Sequence, residues 1–173
     1  MKNSPYIRVS RIALFSALCA AGALIKIPGP VGSIALDSFP GYLSELLFGY
    51  LDGGIVIGLG HIISALTVGF PLGILHIPIA LFMVFVGSVF RFVYQHFPIR
   101  DRDINLISAV LIAATLNGLG GFVFLPIFGW QFSIAVTPPL MVASYVNVIL
   151  ASLLYSQVRK LQISKGVLEY HEN

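Results

Sequence analysis

The sequence predicts an all-α membrane protein: six transmembrane helices forming one domain over residues 1–173, with both ends of the chain on the cytoplasmic side. Three observations predict it. Of 173 residues, 57% are hydrophobic and only 10% charged, where soluble domains carry about 25% charged residues; the mean hydropathy is +0.93. No Asp, Glu, Lys or Arg occurs in 53–90 or in 104–158, so a soluble fold of this size could not cover itself with charge. Finally, nine of the ten basic residues fall where six crossings would place one side of the membrane.

A spanning helix needs about 20 apolar residues, and Pro, Gly and charge clusters divide the chain into six stretches. The first, 8–27, ends at Pro28-Gly29-Pro30; the second, 39–51, is short and ends at Asp52-Gly53-Gly54. The third, 54–68, ends near Gly69-Phe70-Pro71, and the fourth, 74–97, at Pro98. The fifth, 104–125, ends at Pro126, and the sixth, 135–158, carries Pro138 and Pro139 in its first turns. Helices satisfy their own backbone hydrogen bonds, which lipid cannot do. Lys and Arg set orientation: Lys2, Arg8 and Arg11, then Arg91, Arg100 and Arg102, then Arg159, Lys160 and Lys165 share one side, and only Lys26 lies outside it. A cleaved signal peptide over 1–25 is the competing reading. It would leave five spans and break this asymmetry, and Leu18 ahead of Cys19 does not suit a lipoprotein signal.

Ionisable groups within apolar spans are costly and usually face the protein interior. Here they are Asp37 before the second span, Glu45 within it, His61 in the third and His76 at the start of the fourth. Asn117 lies in the fifth span, Tyr145 and Asn147 in the sixth, and Trp130 and Gln131 in the connection between those two. Together they suggest a polar pocket in the outer half. Each also has a structural reading. Asp37 and Ser38 would cap the second helix; Glu45 would pair with His61 or His76; Asn117 and Asn147 would hold helices together; Trp130 would anchor at the interface.

No catalytic constellation stands out. The chain has no G-x-x-x-x-G-K-[ST] loop, no H-E-x-x-H and no G-x-S-x-G, so neither direct ATP binding nor an enzyme is expected. Two histidines on different spans without cysteine do not make a metal site, and no cofactor is expected. A net charge of +3 held at membrane boundaries gives no nucleic-acid role.

The first span, RIALFSALCAAGALIKIPGP over 11–30, carries Ala13, Ala17 and Ala21 four apart. Small residues at this spacing let helices approach closely in lipid, either inside the bundle or against another protein. With the chain's size, basic ends and the segment 28–38, this stripe resembles a substrate-binding (S) component of an energy-coupling factor (ECF) vitamin transporter. The resemblance implies that Ala13, Ala17 and Ala21 dock onto a coupling membrane subunit that works with two ATPases. It also implies that cargo binds near the outer face, enclosed by spans four to six and the segment after the first. Within 36–76, LDSFPGYL, GLGHIISAL and GFPLGILH are similar to members described as transporters of α-ribazole, the nucleoside of the lower base of cobalamin. That likeness implies α-ribazole as cargo, with free dimethylbenzimidazole or another vitamin as alternatives. Its ring would stack on Phe70, Trp130 or Tyr145, and its hydroxyls would bond Asp37, Glu45, Asn117 or Asn147. A stand-alone carrier or channel, with the stripe driving self-association, is the reading outside that family.

Overall fold

Close backbone approach ends the first helix before the prolines do. The computed structural model describes residues 4–29, 32–97 and 101–164; Lys2, Pro30, Arg100 and Lys165 lie outside them. α1 runs Pro5–Gly22 and not to residue 27. At Gly22 a side chain would collide with the Leu36 carbonyl, so only glycine lets the returning chain sit there. The next three N–H groups close a turn onto the carbonyls of Cys19, Ala21 and Gly22. Then β1 (Lys26–Gly29) pairs antiparallel with β2 (Gly32–Ala35), Lys26 opposite Ala35. Most of the connection expected over 28–38 is thus a two-stranded ribbon, not a loop.

α2 (Phe39–Phe48) and α3 (Tyr50–Thr67) are separated at Gly49, whose φ of 100° suits glycine. The break expected at Asp52-Gly53-Gly54 does not occur; those residues form the start of α3. Asp52 is buried in its first turn, where a carboxylate suits the helix N-terminus. Arg8 Nε meets Asp52 Oδ1 at 2.5 Å, and Arg11 Nε meets Oδ2 at 2.7 Å. Gly53 is required by packing: a Cβ there would stand 2.5 Å from the Glu45 Cα.

A 3-10 turn, Gly73–Leu75, leads into α4 (His76–His96). α5 (Arg102–Gly118) is capped by Asp101, whose Oδ1 accepts from the N–H groups of Asp103 and Ile104. α5 stops at Gly118, short of the expected residue 125. A single turn, α6 (Gly120–Val123), follows, and α7 runs Leu125–Ser164 with a kink at Gly129, φ 77°. Pro126 therefore starts a helix, where proline's missing N–H costs nothing, and Pro138 and Pro139 lie well inside α7, not in its first turns.

Among the described residues there are seven helices and one hairpin. Tyr50–Thr67, Gly73–His96 and Leu125–Ser164 are long and apolar enough to cross a membrane. The core is built where Tyr42 meets Phe90 edge-on at 5.7 Å, with Ile57, Val86 and Val148 around them. α5 contributes Ala109, Ala113 and Ala114, all fully buried, which lets it lie close to its neighbours.

Candidate functional site

The ends of α3, α5 and α6, the starts of α2, α4 and α7, and the 68–75 connection enclose a cavity of about 190 Å³. Its lining divides by chemistry. One part is polar: Asp37, Ser38, His61, Ser64, His76 and Asn117. The other is aromatic: Phe82 from α4, Phe124, and Phe128 and Phe132 from α7. Phe124, Phe128 and Phe132 stand four residues apart, Phe124 at the end of α6 and the other two on either side of the Gly129 kink in α7, and all three line the cavity. Phe128 and Phe132 stack at 4.5 Å, and Phe82 meets Phe124 edge-on at 6.0 Å.

The polar part is held by hydrogen bonds that reach across the fold. Asn147 on α7 uses its whole amide. Its Oδ1 accepts from the N–H groups of Ser38 (3.0 Å) and Phe39 (2.8 Å), and its Nδ2 donates to the carbonyls of Ala35 (3.2 Å) and Ala143 (2.9 Å). Asn147, not Asp37 or Ser38, therefore satisfies the first N–H groups of α2. This corrects the expected cap, and the α2 terminus makes no side-chain cap bond of its own. The Asp37 carboxylate is instead bonded by the Ser38 hydroxyl at 2.9 Å and by the Ser64 hydroxyl. Burial pushes this carboxyl above the ordinary range, and the two hydroxyls hold it down in part. Asn117 Nδ2 donates to Ser144 Oγ at 2.8 Å, which turns the amide to one orientation. His61 Nε2 lies 3.2 Å from His76 Nδ1.

Residues 8–159 match the sequence family of the ECF transporter substrate-specific component. The chain belongs to that family. It is thus the substrate-binding subunit of an ECF importer. Its fold is similar to that of the S component of a bacterial ECF transporter, with a TM-score of 0.64 at 23% identity over 91% of this chain and 98% of that one. No curated protein matches the sequence.

Of the residues singled out in this S component's sequence, Asp37, His61, His76, Asn117 and Asn147 meet at the cavity. Five others do not line it. The Glu45 carboxylate makes no hydrogen bond among the described residues, so the expected pairing with His61 or His76 is absent; those two bond each other. Glu45 is fully buried against Gly53 and Gly87, on the far side of α2, and Arg91 donates to its backbone carbonyl and to that of Leu46. Phe70 packs on the His76 ring at 4.7 Å, and the Tyr145 hydroxyl bonds Thr115 Oγ1 at 2.7 Å. Trp130 is 65% exposed, and Gln131 is exposed; both belong to α7 and not to a loop. The aromatic wall of Phe82, Phe124, Phe128 and Phe132 went unrecognised in the sequence. Its signal was the F-x-x-x-F-x-x-x-F spacing, hidden because Pro126 and Gly129 argue locally against one continuous face.

α1 has two small-residue faces. Ser16, Cys19 and Gly22 are buried, and Gly60 on α3 makes room for Cys19, since a Cβ there would stand 2.7 Å from Sγ. Ala13, Ala17 and Ala21 are exposed.

Proposed function

We propose that this S component binds α-ribazole and delivers it to an ATP-driven import machine. The observation that carries the reading is the divided cavity. Phenylalanine rings cover one part, and carboxylate, imidazole, hydroxyl and amide groups cover the other. A benzimidazole nucleoside divides the same way, with a flat apolar bicycle joined to a ribose rich in hydroxyls. The ring would lie among Phe82, Phe124, Phe128 and Phe132, and the hydroxyls near Asp37, His61 and Asn117. The similarity over 36–76 supports the same cargo. Among the described residues no arginine or lysine lines the cavity, which suits a neutral nucleoside better than its phosphate.

In this reading the chain crosses the membrane six times with both termini cytoplasmic. Ala13, Ala17 and Ala21 meet the coupling subunit, which carries two ATPases. The S component supplies specificity and performs no chemistry on its cargo, so it needs no cofactor or metal.

Calorimetry of the purified chain against α-ribazole, dimethylbenzimidazole, thiamin, riboflavin and biotin tests the cargo. α-Ribazole is expected to bind with a submicromolar Kd, about −8 kcal/mol or better. Dimethylbenzimidazole, which lacks the ribose, is expected to bind at least about tenfold more weakly. Tight binding of a different vitamin with none of α-ribazole would reject the assignment.

A further inference from the structure

Two histidines at the cavity form a directed chain of hydrogen bonds, and its direction can be read from one backbone group. Leu72 N–H donates to His76 Nε2 at 3.4 Å. A backbone amide can only donate, so His76 Nε2 carries a lone pair, and the proton of the neutral ring is on Nδ1. His76 Nδ1–H then donates to His61 Nε2 across 3.2 Å. His61 Nε2 is thereby an acceptor, which leaves the His61 proton on Nδ1. That nitrogen makes no hydrogen bond to another of the described residues, and His61 lines the cavity.

The connection that supplies Leu72 is shaped around His76. Gly69 and Phe70 both take positive φ, 85° and 56°, and Phe70 is the one non-glycine residue to do so among the described residues. Such conformations persist where the surroundings over-determine them, often next to a functional group. Phe70 N–H bonds the Ala65 carbonyl and Gly73 N–H bonds the Phe70 carbonyl, both at 2.9 Å. This fold-back puts the Phe70 ring 4.7 Å from the His76 ring and aims Leu72 N–H at its edge.

We propose that His76 is a positioning residue that fixes His61 in its Nδ1–H form, so that the cavity offers a hydrogen-bond donor there and selects cargo carrying an acceptor atom. An imine nitrogen of an aromatic ring or a hydroxyl oxygen meets that requirement; a cargo offering only N–H at that place does not. The inference rests on the cavity being the cargo site, but not on the cargo being α-ribazole.

Long-range 1H–15N correlation of the histidine rings in the full chain, in detergent without cargo and at a pH where both rings are neutral, reads the protons directly. The expected spectrum has His61 and His76 both protonated on Nδ1. His76→Asn keeps an amide donor toward His61 Nε2 and should preserve the His61 form. His76→Phe removes the donor, and Nε2–H should appear at His61. Calorimetry with α-ribazole should show a loss of about tenfold for His76→Phe and a smaller loss for His76→Asn. A wild-type His61 protonated on Nε2, or a His76→Phe spectrum unchanged at His61, overturns the proposal. The wild-type spectrum alone decides it if a variant does not fold. Expected tautomers without α-ribazole binding would reject the cargo and leave the histidine chain standing.

Discussion

Asn147 shows how a residue can line a site and yet be unable to serve its ligand. A primary amide has two N–H donors and one oxygen with two lone pairs, and all four positions are taken by the backbone around Ala35, Ser38, Phe39 and Ala143. Its task is to hold the turn bearing Asp37 against α7. Truncation would leave the Ser38 and Phe39 N–H groups without that partner, each costing about 1–3 kcal/mol when buried. Asn147→Ala should therefore lower unfolding stability by about 3 kcal/mol, read as a lower thermal midpoint of the cargo-free chain. An unchanged midpoint would show that water replaces the amide. The sequence marked Asn147 as polar and membrane-embedded but could not show its saturation, because three of its four partners are main-chain atoms more than a hundred positions away. Glu45 misled for a related reason. A carboxylate in an apolar helix reads as a ligand group, whereas its surroundings are glycines that sequence alone does not place beside it.

At the scale of elements, α1 explains why small residues cover it so widely. Its inner face buries Ser16, Cys19 and Gly22, with Cys19 against Gly60 of α3 and Gly22 against the Leu36 carbonyl, and Arg8 and Arg11 fasten its start to Asp52. Phe15 packs edge-on to Phe48 at 5.1 Å. The bundle therefore does not need Ala13, Ala17 or Ala21, which remain exposed. Ala17→Trp should place an indole on that outer face without disturbing the core. In cells that supply the coupling subunit and ATPases, uptake should fall at least about tenfold, while calorimetric affinity for cargo stays unchanged. Loss of both would make the alanine face part of the bundle instead. The alanine spacing was legible because periodicity survives in one dimension. Helix ends were less so. Gly22, Gly49 and Gly118 end elements for reasons set by packing and backbone angle, whereas Pro28, Asp52-Gly53-Gly54 and Pro126 had suggested those ends by local rule; α4, expected to reach 97, does end at His96 ahead of Pro98. α7 is the sharpest case, since the connection expected between the fifth and sixth spans is helical apart from the kink at Gly129 and continues into the sixth span.

The whole molecule has two chemically different poles. At one, Arg8 and Arg11 reach Asp52, Arg91 caps the end of α2, and Arg159 bonds Asp103 at 2.5 Å. At the other lie the hairpin, the strained 69–73 turn, α6 and the cavity, where Lys26 is the only basic residue described. In the proposed orientation the basic pole faces the cytoplasm, as charge asymmetry of this kind favours, and the cavity would open outward. This polarity could be read from the sequence, because Lys and Arg positions need only the order of the spans. The shape of the cavity could not, since it depends on a hairpin, a one-turn helix and a kink that carry no strong periodicity. In that orientation the cavity would capture cargo, and the ATPases of the proposed import machine would supply the energy to accumulate it. Proteoliposomes holding this chain alone should retain α-ribazole only in proportion to the number of binding sites. Adding the coupling subunit and both ATPases with ATP should produce accumulation beyond that stoichiometry, and a non-hydrolysable ATP analogue should abolish it. Accumulation by the isolated chain, driven by an ion gradient, would instead identify a self-sufficient carrier and overturn the division of labour between receptor and motor.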